Sequence, residues 1–133
     1  TKILEGYGVR YKYVSDFSDS LAKQEIEAHL RTGNPVIFVV AAKSRKAGAV
    51  ANKWTSGYHC MTMLGMTDTG KVIVADSVDR STKTFGNNQR IKYASLGELI
   101  GYMFPCTNTT STSIYWGGKA SSGGYILINP QNQ

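Results

Sequence analysis

The stretch Gly57-Tyr58-His59-Cys60-Met61-Thr62-Met63-Leu64-Gly65-Met66, continued through Asp68-Thr69-Gly70 into Lys71-Val72-Ile73-Val74-Ala75-Asp76, decides the reading of this chain. Tyr58 to Leu64 and Lys71 to Asp76 have strand character, and the Asp-Thr-Gly between them is a hairpin turn signal. Folding the two strands back around that turn brings His59 roughly opposite Asp76, seventeen positions later. A carboxylate there accepts an imidazole N–H, fixes the ring tautomer and stabilises the imidazolium. Two readings of the pair stand side by side. One is a general base with its orienting carboxylate; the other is a satisfied buried histidine at the end of a hairpin.

Upstream, Ser18, Asp19 and Ser20 offer N-caps to a helix over Leu21 to Thr32, with Ala22, Ile26 and Leu30 forming one apolar stripe. Gly33 suits the left-handed residue that closes such a helix. Asn34-Pro35 then turns the chain into Val36-Ile37-Phe38-Val39-Val40, a β-branched run expected as a buried strand. Before the helix, Val9 to Val14 alternates like a short strand after Gly6 and Gly8. Ala42 to Gly57 is small, basic and polar and predicts a long loop leading to His59.

Downstream, a polar stretch over Ser77 to Gln89 precedes a strand at Arg90 to Tyr93. Ser95-Leu96-Gly97-Glu98 is a capping box that starts a helix running to about Tyr102. Further strands are expected at Ser113 to Trp116 and Gly124 to Ile128. These elements predict one α+β domain over residues 1–133, with helices packed on a mostly antiparallel sheet of five to six strands.

Composition narrows the function classes. The chain has 133 residues, of which 41% are apolar, enough for a core without disulfides or metals. Lys and Arg outnumber Asp and Glu by 15 to 9, giving a net charge of +6 without a long basic run. That balance reads first as a solvated basic surface and otherwise as suited to anionic surroundings such as a bacterial envelope; no nucleic-acid-binding motif accompanies it. No run is long enough to span a bilayer and no signal peptide is visible. The two histidines, His29 and His59, lie far apart, and Cys60 and Cys106 form no CxxC, so no metal site and no cofactor are expected. His29 reads as an exposed or half-buried residue of the first helix. Asp16 and Asp19 belong to the helix start and Asp68 to a turn, so no acidic pair suits glycosidase chemistry. Trp54 and Tyr58, beside the loop before His59, are candidates for a substrate-binding wall. Tyr115, Trp116 and Tyr125 either pack in the core or form a stacking surface.

The segments Leu30-x-x-Gly33-Asn34-Pro35-Val36-Ile37, Gly57 to Met66 and Gly70 to Ser77 resemble the second half of a papain-like cysteine peptidase. The similarity is to the bacteriocin-leader (double-glycine) type and covers about Leu21 to Leu99. The resemblance implies that His59 is a general base oriented by Asp76, activating a cysteine thiolate for attack on an amide carbonyl. Where that family often has proline after the aspartate, Ser77 stands here.

The resemblance also implies a nucleophilic cysteine at the start of a helix, preceded by a glutamine of the oxyanion hole. No cysteine lies upstream of His59. Cys60 adjoins His59, and strand neighbours point to opposite faces, so it is expected as a small buried hydrophobe. Cys106 follows the second helix, where the family's nucleophile does not lie. The expectation is therefore a C-terminal portion of a peptidase domain, with the cysteine helix supplied by a segment before Thr1 or by a second chain. The substrate would be a bacterial cell-wall peptide or a leader peptide, in an extracellular, envelope or virion setting. The alternative is an inactive papain-like module that binds peptide or wall polymer within a larger assembly.

Overall fold

The computed structural model describes residues 2–41, 59–76, 90–103 and 123–129. Helix α1 (Lys2–Gly6) leads into strand β1 (Tyr11–Val14), then α2 (Asp19–Arg31) and β2 (Val36–Val40). The hairpin β3 (His59–Met66) and β4 (Lys71–Ala75) follows, then β5 (Ile91–Ser95), α3 (Leu96–Tyr102) and β6 (Tyr125–Ile128). The strands form one six-stranded sheet in the order β1-β6-β2-β3-β4-β5, every neighbouring pair antiparallel. This is the α+β architecture that the sequence predicts. The α1 helix is an addition to that expectation; a five-residue segment ending in glycine has too few apolar positions to show a period. The strand expected at Ser113 to Trp116 lies outside the described residues.

The helix boundaries follow from side-chain chemistry at their ends. Ser18 Oγ accepts the Leu21 N–H at 3.3 Å and so opens α2, and Ser95 Oγ accepts the Glu98 N–H at 3.2 Å and opens α3. Gly33, at φ +86°, closes α2 with its N–H on the Leu30 carbonyl. The α2 stripe of Ala22, Ile26 and Leu30 is buried against the sheet, which answers with Val36, Phe38 and Val40 of β2 and Met61 and Met63 of β3. Each large aliphatic side chain so buried contributes about 1.5–3 kcal/mol. Val72, Val74, Leu99, Ile100 and Met103 complete the same core.

On the opposite face of the sheet most of the described residues are half-buried to exposed. Register aligns Tyr13, Ile126, Ile37, Thr62, Ala75 and Ile91 in one row across all six strands of that face. Cys60 belongs to it, paired with Val39, and is exposed. This corrects the expectation of a buried Cys60: alternation turns it away from His59 as expected, but towards a face that no described helix covers.

Three polar ties hold α2 to the sheet margin. Glu25 Oε1 accepts the Tyr125 hydroxyl at 2.7 Å, and Glu25 Oε2 meets Lys12 Nζ at 2.8 Å. His29 Nε2 lies 2.9 Å from the Ile128 carbonyl and half-buried, which agrees with its reading as an ordinary helix residue. Tyr125 is itself 2% exposed and packs on Phe17, so the core reading holds for it. Burial alone would raise the Glu25 pKa, but the hydrogen bonds from Lys12 and Tyr125 outweigh it and hold the carboxyl below its ordinary 4.5.

A carboxylate lowered by folding stabilises the fold above its unfolded pKa, and that stability is lost as pH falls through the folded value. Glu25→Gln is therefore expected to be less stable than wild type at pH 7. The gap should shrink as pH drops below the ordinary glutamate value. Denaturant midpoints at several pH values check this; a gap unchanged down to acid pH would remove Glu25 from the acid response.

Candidate active site

His59 opens β3 and pairs with Val40 of β2. It therefore shares the covered face with Met61 and Met63, at the end of the sheet where the Ala41 N–H is tied to the Tyr102 carbonyl at 2.8 Å. Asp76 directly follows β4, and its N–H donates to the Arg90 carbonyl at 2.7 Å, which extends the β4–β5 pairing past the strand end. The two side chains meet: His59 Nε2 lies 2.7 Å from Asp76 Oδ1.

Register explains why they meet, and it refines the expected geometry. Thr62 pairs with Ala75 and Met63 with Val74, so the next step sets Asp76 opposite Met61. His59 is two residues further along the same face, a diagonal neighbour and not a directly opposed one. Nearer the turn the pairs are Gly65 with Ile73 and Met66 with Val72, so Leu64 is an extra residue, a β-bulge. Without the bulge, the pairing that closes the hairpin would continue to set Asp76 opposite Thr62. That position lies on the face away from His59.

The environment of the pair is asymmetric. The Asp76 side chain is 0% exposed and that of His59 16%. An ionised carboxylate only accepts, so Nε2 carries the proton and donates it, leaving the Nδ1 lone pair as the basic site. Nδ1 makes no hydrogen bond among the described residues. The arrangement can take up a proton at Nδ1 while the carboxylate steadies the resulting imidazolium.

No cysteine among the described residues approaches that nitrogen. Cys60 lies on the other face of β3, and partial desolvation of its sulfur, although the residue is exposed, pushes the thiol above its ordinary value, away from the thiolate a nucleophile needs. Trp54, Tyr58 and Cys106 lie outside the described residues. No group of three or more His, Cys, Asp or Glu side chains converges among the described residues. No helix among them is long and apolar enough to cross a membrane. Sequence reasoning missed one charged residue near the site: Lys92 of β5, 5% exposed, on the same sheet face. The sequence carries no signal for it: alternation with apolar Ile91 and Tyr93 would turn Lys92 outward, and the structure reverses that phase, exposing Ile91 and Tyr93 and burying Lys92 with Ala94.

No curated protein and no solved structure matches the chain. The model of the Peptidase_C39 like family matches residues 1–99. The match begins earlier than the resemblance read from Leu21 onward, taking in α1 and β1, and it ends within α3. It spans α2, β2, the hairpin and both members of the His59–Asp76 pair. With an antiparallel sheet carrying helices on one face and a match over most of its length, the chain belongs to the Peptidase_C39 like family and has its papain-like, cysteine peptidase-type fold.

Proposed function

We propose that this chain is the C-terminal portion of a cysteine peptidase domain that hydrolyses amide bonds, with His59 as general base and Asp76 as its orienting carboxylate. The observation that carries the reading is the 2.7 Å contact from His59 Nε2 to buried Asp76, with Nδ1 left unbonded among the described residues. The nucleophilic cysteine comes from a segment preceding Thr1 or from a second chain. His59 Nδ1 takes the thiol proton, the thiolate attacks the carbonyl carbon, and the imidazolium returns that proton to the leaving amine. Water then attacks the thioester, giving its proton to Nδ1, and the thiol is restored as the acid departs. Asp76 stays ionised throughout and stabilises the imidazolium in both halves. The substrates are bacterial cell-wall peptides or a leader peptide, in an extracellular, envelope or virion setting, and Trp54 and Tyr58, shortly before His59 in the sequence, are the candidates for binding them. The basic charge of the chain suits the wall setting.

A thiol beside an imidazole is a thiolate at a pH where ordinary cysteines are not. Brief alkylation of the intact parent protein at mildly acidic pH is expected to modify one cysteine ahead of the rest and to abolish peptide hydrolysis. That cysteine should be neither Cys60 nor Cys106. The second reading, an inactive module that binds peptide or wall polymer, draws support from the position of Cys60 on the far face. It predicts uniform, slow alkylation and no hydrolysis, and that outcome would overturn the peptidase reading.

A further inference from the structure

Lys92 is the one buried cation among the described residues, and the mechanism above gives it no part. It stands opposite Val74 of β4, on the covered face of β5 beside Ala94. Asp76 follows Val74 by two residues on that face, and its N–H bond to the Arg90 carbonyl continues the same register. Lys92 is therefore a diagonal neighbour of Asp76 on one side, as His59 is on the other. The three residues make a single diagonal across β3, β4 and β5, with the carboxylate in the middle. Diagonal cross-strand positions stand about 7–8 Å apart, within reach of a long side chain.

A carboxylate without solvent exposure is held ionised only by compensating positive charge or hydrogen-bond donors. His59 supplies an N–H dipole when it acts as base, but no formal charge. We propose that Lys92 is a positioning residue of the site, its ammonium balancing Asp76 and so keeping the carboxylate an acceptor for the His59 Nε2–H. This rests on reading His59 and Asp76 as the base and its orienting carboxylate. Two other charged groups belong to the elements packed here: Arg90, directly opposite Asp76 on the same face but exposed to solvent, and half-buried Glu98 of α3. The apolar Ala22, Ile26 and Leu30 of α2, Phe38 and Val40 of β2 and Met61 of β3 face the same layer. From α3 come Leu99, Ile100 and the Tyr102 phenol, which burial and then Glu98 push above its usual value, so it stays neutral.

The test follows the site's protons and not its turnover. Removing a positive charge makes the His59–Asp76 pair take up its proton more readily, wherever on the pair that proton sits. Lys92→Met is expected to raise the pH at which the His59 ring signals titrate, followed by NMR, by about one unit. Lys92→Arg should keep the wild-type midpoint. By reciprocity, Asp76→Asn should lower the pH at which the Lys92 ammonium titrates by a similar amount. That near-isosteric variant decides the matter should Lys92→Met fail to fold. A His59 midpoint unmoved in folded Lys92→Met, or a Lys92 midpoint unmoved in Asp76→Asn, would overturn the proposal. Because neither measurement needs hydrolysis, a protein without peptidase activity would sink the functional reading and leave this coupling standing.

Discussion

His59→Ala in the intact parent protein is expected to lower kcat/KM for peptide hydrolysis by about 10⁴-fold or more, leaving only what binding and oxyanion stabilisation supply. Asp76→Asn should follow at about 10³–10⁴-fold, though its shape is nearly unchanged. An amide at that position can offer its N–H₂ to His59 Nε2 and so turn the ring to the wrong tautomer, with the proton on Nδ1. It also gives the imidazolium no counter-charge. The losses should not add: once the imidazole is gone, its orienting partner has nothing to orient, so the double variant should match His59→Ala. Steady-state kinetics of the three variants check this, with circular dichroism to establish that each is folded. Wild-type rates in Asp76→Asn would take the carboxylate out of the machinery.

Gly124→Ala is expected to destabilise the fold by about 4 kcal/mol, a large share of what holds a domain of this size together. Gly124 sits at φ +85°, a left-handed conformation that side chains rarely adopt. A Cβ there would lie 2.2 Å from the Val14 carbonyl oxygen, which is backbone and has no rotamer to escape into. The clash falls where Val14 pairs with Tyr125, so relief requires prising β1 from β6. Gly33 provides the control. Its φ of +86° is nearly the same, yet a Cβ added there would meet nothing within 4 Å, so Gly33→Ala should cost only about 1 kcal/mol. Equal denaturant midpoints for the two alanine variants would show that the crowding at Val14 relaxes freely.

Much of the architecture is legible in the sequence because each strong element carries more than one agreeing signal. The α2 helix has a cap, a stripe and a closing glycine, and β2 spans Val36–Val40 as its β-branched run predicts. The meeting of His59 with Asp76 is also legible, since a turn signal fixes which strand folds onto which. The diagonal offset is not, because a bulge is a local compromise between two pairings and leaves no mark in a short apolar run. Cys60 misleads for a different reason. Its type favours burial, but whether a sheet face is covered depends on where helices dock, which alternation within one strand does not record. Lys92 escapes notice because its neighbours Ile91 and Tyr93 are the apolar residues of the strand, so alternation points the lysine outward, and only the docking of the sheet reverses that phase.

The extra residue Leu64 also settles a choice between two adjacent reactive side chains. Counting back by twos from Met66, whose side chain packs towards the core, one arrives at Leu64, Thr62 and Cys60. In an unbulged hairpin with the same turn, those residues would share a face with Asp76, so the carboxylate would confront a thiol and His59 would point outward. The bulge adds one step to the count and exchanges the two. A single inserted residue thus acts as one bit of information, selecting imidazole over sulfur as the carboxylate's neighbour.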